Sequence, residues 1–353
     1  MEICIISPYP PQRGGVASYV NDLVKRFAKK HKLTILTYYR YFRKPKRNIR
    51  FVEIPLPGIP FIRGLLFLLR ALNFLKTHGR SFDIIHAHYL HPCGTAAIFY
   101  KLFFNKTAKV VITLHGSDID KLLKNKIVRR LFLTLLHHAN AVCTVSNYLA
   151  EKLKDYGFNK KIFVTPSGTP KIRFKKAKTI KLTREKGEII IGYFGVLETH
   201  KGFDDLLKCF AKISKKIRNC RLVVAGRGKF ARFVKKIAKN TTRITYLGEL
   251  TREEVFVAMQ KCDIIVVSSR REGFGLSVLE ACTLGKACIA RDVGGIKEIL
   301  PPIARNENFC KLLERALVSV EFRKKLEKTC SRAAKKFGWE KTVRKIEKIY
   351  CTL

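Results

Sequence analysis

Residues 264–291 read IIVVSSRREGFGLSVLEACTLGKACIAR, a short apolar run, a polar glycine-rich turn, a helical pattern and a second short apolar run. Short β-branched runs are typical of strands, and strands that alternate with helical patterns indicate parallel α/β units. The same alternation continues on both sides of this stretch. The sequence therefore predicts an α/β fold built from parallel sheets.

The number and spacing of the apolar runs predict two such sheets. Strands are expected at residues 2–7, 33–38, 50–54, 84–88, 110–115, 141–145, 162–165, 189–195, 220–226, 244–247, 264–268 and 287–291. A chain of 353 residues is longer than one hydrophobic core usually organises, and 47% apolar residues are enough to form two cores. This composition excludes a disordered or collagen-like chain.

The domain boundary is predicted near residue 168. Residues 171–186 hold eight basic residues, one acid and no apolar periodicity, which is typical of a linker. We expect one domain over 1–168, a second over 169–336, and a terminal helix over 337–353 that packs back onto the first. In doubly wound folds, ligands bind at the carboxyl ends of the strands, here expected to face each other across a cleft.

The charge of the chain is strongly positive. Lys and Arg number 71 against 27 Asp and Glu, which gives a formal net charge of +44. Such a surplus indicates an anionic partner: nucleic acid, an anionic membrane surface or a phosphate-bearing small molecule. Basic runs at 40–50 and 121–130 carry part of it, yet no zinc-finger, helix-turn-helix or RNA-recognition pattern accompanies them.

The eleven cysteines form no C-x-x-C pair and no cluster with histidine, so we expect no zinc site. Most lie in apolar runs, which predicts reduced, buried thiols and a reducing compartment. The N-terminus reads as a strand rather than a signal peptide.

No apolar run reaches the 18 residues of a spanning helix. Residues 61–75 come nearest, and two interpretations remain open for them. They form either an interfacial membrane helix or a buried helix whose arginines reach water.

A glycine pair, Gly14 and Gly15, follows the first strand and opens an amphipathic helix. Without Cβ atoms, the pair lets a ligand approach the backbone, and the helix N-terminus favours an anion such as phosphate. A purely structural turn explains the same pattern.

Histidines follow two neighbouring strands of the first half. His115 ends one strand beside Gly116 and Ser117, where it can donate to a sugar hydroxyl or a phosphate oxygen. His86 and His88 alternate at the end of another strand and point to one face. Together with Asp118 they are candidates for the acceptor side; a metal half-site lacks a third ligand at a suitable spacing.

Two carboxylates eight residues apart form the most informative pattern. Glu272 lies in the glycine-rich turn after a strand, and Glu280 lies about one and a half turns into the next helix. If the helix begins between Gly275 and Ser277, its N–H groups can hold a phosphate while the carboxylates accept hydrogen bonds from hydroxyls on either side.

This pair, Glu272 and Glu280, resembles the signature of the retaining GT-B glycosyltransferases of the family 4 type: Glu, seven residues, Glu. The resemblance covers most of the chain, at residues 14–15, 84–88, 114–118, 145–146, 195, 201–202, 226–228, 247–248, 285–295 and 337–340. It implies two Rossmann-like doubly wound parallel-sheet domains facing across a cleft. It also implies transfer of a sugar from a nucleotide donor to a hydroxyl, with retention of configuration and without a metal or other cofactor.

The resemblance also implies roles for individual residues. Glu280 would contact the nucleotide ribose and Glu272 the hydroxyls of the donor sugar. Lys201 would neutralise the diphosphate, and His115 would lie near the donor sugar. The remaining implied donor-binding positions are the backbone of Gly14 and Gly15 and that of Phe274, Gly275, Leu276 and Ser277.

Departures from the family pattern affect the phosphate contacts. Relatives carry an arginine in a Gly-Arg-Leu run where this chain has Val196. Arg270, Arg271 or His200 are candidates to replace it. The segment after Pro302 is shortened, and residues 164–169 replace the customary Pro-Asn-Gly-Val-Asp.

Other functions remain open at this point. A non-catalytic protein of the same fold could bind anionic membrane or nucleic acid through its charge, but a nucleic-acid groove gains nothing from two fixed carboxylates. An epimerase or a phosphorylase of GT-B shape lacks support in the motifs. We therefore expect a UDP- or GDP-sugar donor, a hydroxyl acceptor that is lipid-linked or a glycan, and no nucleic acid. We also expect a cytoplasmic protein, peripheral on the cytoplasmic face of an anionic membrane.

Overall fold

A computed structural model describes residues 1–12, 14–38, 47–56, 60–122, 124–170, 180 and 182–353. These residues form two compact units: Met1–Gly168 with Trp339–Leu353, and Thr169–Gly338. Most of the predicted linker (171–179 and 181) and residues 40–46 of the first basic run lie outside the described residues.

The first unit contains a seven-stranded parallel sheet, in the order β3-β2-β1-β4-β5-β6-β7. Its strands are β1 (Glu2–Ile6), β2 (Lys32–Thr37), β3 (Ile49–Glu53), β4 (Ile84–His88), β5 (Val110–Leu114), β6 (Ala141–Thr144) and β7 (Ile162–Val164). The helices of this unit between Met1 and Gly168 are α1 (Gly15–Phe27), α2 (Pro60–His78), α3 (Thr95–Phe103), α4 (Ser117–Leu122), α5 (Lys126–His137) and α6 (Asn147–Asp155). The strand order reverses between β1 and β4, which pair with Ile3 opposite Ile84. Loops that follow these strands therefore meet at a topological switch point, where doubly wound sheets bind ligands.

The second unit contains a five-stranded parallel sheet, in the order β10-β9-β8-β11-β12. Its strands are β8 (Ile189–Phe194), β9 (Cys220–Ala225), β10 (Ile244–Tyr246), β11 (Ile264–Val267) and β12 (Ala287–Ala290). Its helices are α7 (Phe203–Lys216), α8 (Ala231–Asn240), α9 (Arg252–Lys261), α10 (Leu276–Thr283), α11 (Ile296–Ile299), α12 (Phe309–Val318) and α13 (Val320–Ala334). Here the order reverses between β8 and β11, so the loops after these two strands share a switch point.

The last helix, α14 (Trp339–Cys351), belongs to the first unit and packs against α1. Trp339 is buried, and a Cβ on Gly168 would lie 2.3 Å from its backbone nitrogen, so only glycine fits there. The Thr342 hydroxyl donates to the Pro166 carbonyl at 2.8 Å. These contacts fix the end of the chain to the first sheet.

The predicted fold class is confirmed, and all twelve predicted strands are present with ends that differ by at most one residue. The prediction of reduced cysteines is wrong for one pair. Cys209 in α7 and Cys310 in α12 form a disulfide across 101 residues. Only the tertiary fold brings these helices together, so spacing gave no sign of the bond. Eight of the nine free cysteines are buried, as expected.

The helix α2 has one buried face and one exposed apolar face, which is compatible with either interpretation of residues 61–75. One face is buried through Phe67, Ala71 and Leu75, whereas Leu65 and Leu69 on the opposite face are each 53% exposed. Within the part of the chain that the structure describes, no helix has the length and apolar composition needed to cross a bilayer.

Candidate active site

The loop after β11 leads into α10 through a left-handed backbone conformation that favours glycine. Gly275 has φ 99°, and α10 begins at Leu276 without a side-chain cap. The first-turn N–H groups of a helix lack intrahelical partners and favour an anion. Phe274 is itself buried against Phe337, so Phe274 can offer only its backbone to a ligand. The predicted start of this helix is confirmed.

A second loop supports this turn from behind. The N–H of Gly295 donates to the Glu272 carbonyl at 3.1 Å. A Cβ on Gly295 would lie 2.3 Å from the Gly273 carbonyl oxygen, so the two backbones touch. The glycines that the sequence places after β12 therefore fix the loop that carries Glu272.

Glu272 and Lys201 form an ion pair, with Nζ 2.7 Å from the carboxylate. Their side chains are 16% and 27% exposed, respectively. Ser269 also donates its hydroxyl to Glu272 at 3.2 Å. The sequence assigned these two residues to different parts of the donor, whereas the structure brings them into direct contact.

The backbone explains how Lys201, in the loop after β8, reaches a loop after β11. Gly202 has φ 62°, and a Cβ there would lie 1.9 Å from the Ser268 carbonyl oxygen. The Ser268 hydroxyl donates to the Lys201 carbonyl, and the Arg270 N–H donates to the His200 carbonyl at 3.0 Å. The two switch-point loops thus form one hydrogen-bonded unit.

Glu280 pairs with a residue that the sequence interpretation missed. Arg252 Nε lies 2.9 Å from the Glu280 carboxylate, and the Glu280 side chain is only 10% exposed. Arg252 is the first residue of α9, where Thr251 and Glu254 form a capping box. That capping signal could have located the start of α9, but only the fold places Arg252 beside Glu280.

The two arginines proposed as phosphate contacts differ in their surroundings. Arg270 is paired with Asp204 and Asp205 at 2.7 and 2.8 Å. Hydrogen bonding to Asp205 raises the pKa of Arg270 further above its usual range, and the same bond lowers the pKa of Asp205. Arg270 faces two carboxylates, whereas Lys201 faces one, so Arg270 is the weaker candidate for a phosphate contact. Arg271 is exposed and makes no ion pair with the described residues.

The glycine loop of the first unit has the predicted form. Gly14 has φ 141° and directly precedes α1, which begins at Gly15. A Cβ on either glycine would meet no atom within 4 Å, so the backbone faces open space. A ligand can approach the start of α1 closely.

The histidine candidates of the first unit cluster at the ends of β4 and β5. Nδ1 of His88 lies 3.1 Å from Nε2 of His115, and the His86 and His88 rings stack at 4.4 Å. His86 is fully buried, and its nitrogens contact the Tyr350 hydroxyl at 2.5 Å and the Thr113 hydroxyl at 2.7 Å. Both nitrogens of His86 are occupied, so the structure gives it a packing role rather than the predicted acceptor contact.

Asp118 also serves the loop rather than a ligand. Its buried carboxylate accepts hydrogen bonds from the backbone N–H groups of His115, Gly116 and Ile119 at 3.2, 2.9 and 3.2 Å. Burial raises the pKa of Asp118 to about 6, although the three backbone hydrogen bonds oppose that rise. The effect is to fix the backbone position of His115.

Burial keeps the histidines of this cluster neutral. It lowers the pKa of His86 and of His115 to about 3 and that of His88 well below its usual value. Across the described ranges, no group of three His, Cys, Asp or Glu side chains is arranged to hold a metal ion.

Two doubly wound parallel sheets in separate units are the architecture of the GT-B class of glycosyltransferase folds. A family model described as Glycosyl transferases group 1 matches residues 174–311. One described as Glycosyltransferase Family 4 matches residues 13–171.

Individual relatives agree with these matches. The chain is 31% identical, over 365 aligned positions, to an uncharacterized glycosyltransferase of Methanocaldococcus jannaschii, with 99% of this chain and 98% of the relative covered. The chain therefore belongs to the group 1, family 4 glycosyltransferases.

Solved structures show the same fold at lower identity. Sucrose-phosphate synthase of Thermosynechococcus elongatus is similar with a TM-score of 0.83, 20% identity, and 99% and 98% of the two chains covered. HepE of Anabaena, solved with UDP and glucose, has a TM-score of 0.76 and 16% identity over the whole of both chains. These matches agree with the predicted GT-B architecture.

Proposed function

We propose that this glycosyltransferase moves a sugar from a nucleoside diphosphate to a hydroxyl acceptor and retains the anomeric configuration. The observation that carries the proposal is the contact between Glu272 and Lys201 beside the uncapped start of α10. One cation, one carboxylate and free backbone N–H groups at one switch point suit a ligand that is part phosphate and part polyol.

The leaving group explains why the cation is needed. When the bond between the anomeric carbon and the diphosphate breaks, negative charge grows on the diphosphate oxygens. Lys201 and the N–H groups at Leu276 and Ser277 can stabilise that charge in place of a metal ion. Arg271, which is exposed in the same loop, is the remaining candidate for the cation that Val196 does not supply.

The carboxylates bind hydroxyls in this proposal. Glu272, held by Lys201 and Ser269, accepts hydrogen bonds from the donor sugar, and Glu280, oriented by Arg252, accepts from the ribose. The acceptor oxygen attacks the anomeric carbon on the face that the diphosphate leaves, and its proton passes to the departing phosphate oxygen. No carboxylate is assigned as a covalent nucleophile.

A thermal-shift screen with UDP-, GDP- and ADP-linked sugars tests donor binding directly. A ligand that binds only the folded state raises the unfolding midpoint. We expect at least one nucleotide sugar to raise it in the purified protein, and the same ligand to have less effect on Glu280→Gln. A flat response to every nucleotide sugar would contradict the proposal.

We further propose that the acceptor is presented at an anionic membrane surface. The exposed face of α2 carries Leu65 and Leu69, and Phe103 and Phe104 at the end of α3 are 70% and 40% exposed. Lys76 of α2 lies over the Phe104 ring at 5.6 Å, which links the two apolar patches through a cation. Exposed apolar side chains beside lysine, in a chain of net charge +44, suit an anionic bilayer.

Vesicle cosedimentation distinguishes binding through this apolar surface from binding through the net charge alone. We expect binding to vesicles that contain phosphatidylglycerol, weaker binding at high salt, and loss of binding in the Leu65→Asp, Leu69→Asp double variant. The matched control is Val318→Asp, Val320→Asp, because these valines of the second unit are 68% and 55% exposed. Equal binding by both double variants would contradict the assigned surface, as would a preference for nucleic acid over vesicles.

A further inference from the structure

The contact between His88 and His115 limits where their protons can be. Nδ1 of His88 faces Nε2 of His115 at 3.1 Å, so one of these nitrogens carries a hydrogen and the other accepts it. Both rings are neutral near pH 7, because burial lowers both pKa values. Each ring therefore has a single N–H, and only two arrangements are possible.

In the first arrangement, His88 donates from Nδ1. Its Nε2 is then a bare acceptor, and the hydrogen of His115 lies on Nδ1. In the second arrangement, His115 donates from Nε2. The hydrogen of His88 then lies on Nε2, and Nδ1 of His115 is an acceptor.

The surroundings of His88 distinguish the two. Its Nε2 is buried and has no hydrogen-bond partner among the residues that the structure describes. A buried N–H without a partner is rarer in proteins than a buried acceptor without one, because the lost hydrogen bond to water is not replaced. The first arrangement leaves only an acceptor unsatisfied, whereas the second leaves a donor.

We propose that His88 is a positioning residue that donates Nδ1–H to His115 and thereby holds the hydrogen of His115 on Nδ1. The rest of the cluster keeps the His88 ring in place. His86 stacks on it with an interplanar angle of 28°, and the Tyr19 ring lies 5.8 Å away. His86 is in turn fixed at both nitrogens by Tyr350 and Thr113.

The consequence, which rests on the proposed function, concerns the chemistry of His115. Its Nδ1 has no hydrogen-bond partner among the described residues and is not one of their fully buried unpartnered atoms, so it is the nitrogen that can reach a ligand. With the hydrogen there, His115 donates to an oxygen of the sugar substrate and does not remove a proton at neutral pH. The site then selects a sugar that presents an oxygen to His115, and a deoxy analogue at that position binds and reacts poorly.

The tautomer can be measured without any activity. Two-bond ¹H–¹⁵N spectra of the ligand-free protein labelled with ¹⁵N-histidine report which ring nitrogen carries the hydrogen, and the His115→Asn and His88→Leu variants assign the signals. We expect both His88 and His115 to carry it on Nδ1. A hydrogen on Nε2 of His115 would overturn the proposal.

Kinetics of two variants test the positioning role. We expect His88→Leu to lower kcat about tenfold, the scale on which hydrogen-bond partners orient functional histidines, with a smaller change in KM. His88→Asn places an amide N–H close to where Nδ1–H was and should recover most of the loss. His138→Leu, at an exposed histidine, is the control.

The outcomes separate this inference from the proposed function. Full activity in a folded His88→Leu variant would overturn the positioning role. If His88→Leu does not fold, the rates of His88→Asn still test the positioning role, and the spectra of the unaltered protein still test the tautomer of His115. Absence of transferase activity in the unaltered protein, with both hydrogens on Nδ1, would overturn the proposed function and support the tautomer assignment.

Discussion

The ammonium group of Lys201 lies 2.7 Å from the carboxylate of Glu272, although 71 residues separate them in the chain. The contact joins the loop after β8 to the loop after β11 at the switch point of the second sheet. A diphosphate and a sugar bound there would share this pair, since the cation suits the phosphate and the carboxylate suits the hydroxyls.

Lys201→Ala should weaken the binding of a nucleoside diphosphate. A hydrogen bond to a charged group contributes about 1.5–3 kcal/mol, which corresponds to a roughly ten- to hundredfold higher Kd. Isothermal titration with UDP and GDP gives the measurement. Lys216→Ala is the control, because Lys216 pairs with Glu314 at 3.1 Å on an exposed surface. Equal affinities in the two variants would contradict the role of Lys201.

Gly275→Ala should both destabilise the protein and weaken nucleotide binding. The left-handed backbone costs an L-residue about 1–2 kcal/mol, and the new Cβ would lie 3.2 Å from the side chain of Ile296, the first residue of α11. Gly285→Ala is matched, because Gly285 has φ 70° and open space around it. Urea unfolding should show a loss for both variants, whereas only Gly275→Ala should raise the Kd for nucleotide. An unchanged Kd for nucleotide in Gly275→Ala would show that the N-terminus of α10 does not contact the nucleotide.

Stability should fall as the pH is lowered below about 6.5. His86, His88 and His115 have folded pKa values below that of an unfolded histidine, so the unfolded state takes up protons first. His86 and His115 each contribute stability that is present above pH 6.5 and is lost toward pH 3, at about 1.4 kcal/mol per pH unit. His88 adds to this loss in the same direction, because burial lowers its pKa as well. Asp118 has the opposite effect, because burial raises its pKa to about 6. Between about pH 6 and pH 4 its protonation in the folded state offsets the stability lost through one histidine.

Urea midpoints at pH 7, 6 and 5 check this dependence. The midpoint should decrease at each step, and His86→Asn should show a shallower decrease because one protonation site is gone. A midpoint that is constant over this range would show that the cluster is not held neutral.

The disulfide should contribute to the stability of the second unit. Closing a loop of 101 residues restricts the unfolded chain and stabilises the folded state by about 4.7 kcal/mol in the chain-entropy account. Cys209→Ser should lower the thermal midpoint by the same amount as reductant does, whereas Cys351→Ser, at an exposed free cysteine, should not. Thiol titration in denaturant should find nine thiols without reductant and eleven with it; eleven in both would exclude the bond.

The fold could be predicted almost completely from the sequence because its signals are local. Each strand is a short β-branched run, and parallel strands buried on both faces show no interruption of that pattern. The start of α10 could also be predicted, because glycine before a helix marks the backbone that the turn requires.

The contacts within the site could not be predicted in the same way. The pairing of Arg252 with Glu280 depends on how α9 and α10 pack, and the disulfide depends on α7 and α12. His86 was grouped with the ligand-binding residues because it alternates with His88, yet the Tyr350 hydroxyl from α14 occupies one of its nitrogens. Long-range packing, rather than spacing, decided each of these outcomes.

Transferase activity is tested by measuring the release of nucleoside diphosphate from nucleotide sugars by the purified protein, with and without acceptor. We expect release from at least one donor, and a loss of about a hundredfold or more in Glu272→Gln, on the scale of removing one group that stabilises the transition state. Glu314→Gln, which removes a carboxylate from the exposed pair with Lys216, should react at the unaltered rate. Undiminished release by a folded Glu272→Gln variant would contradict the account.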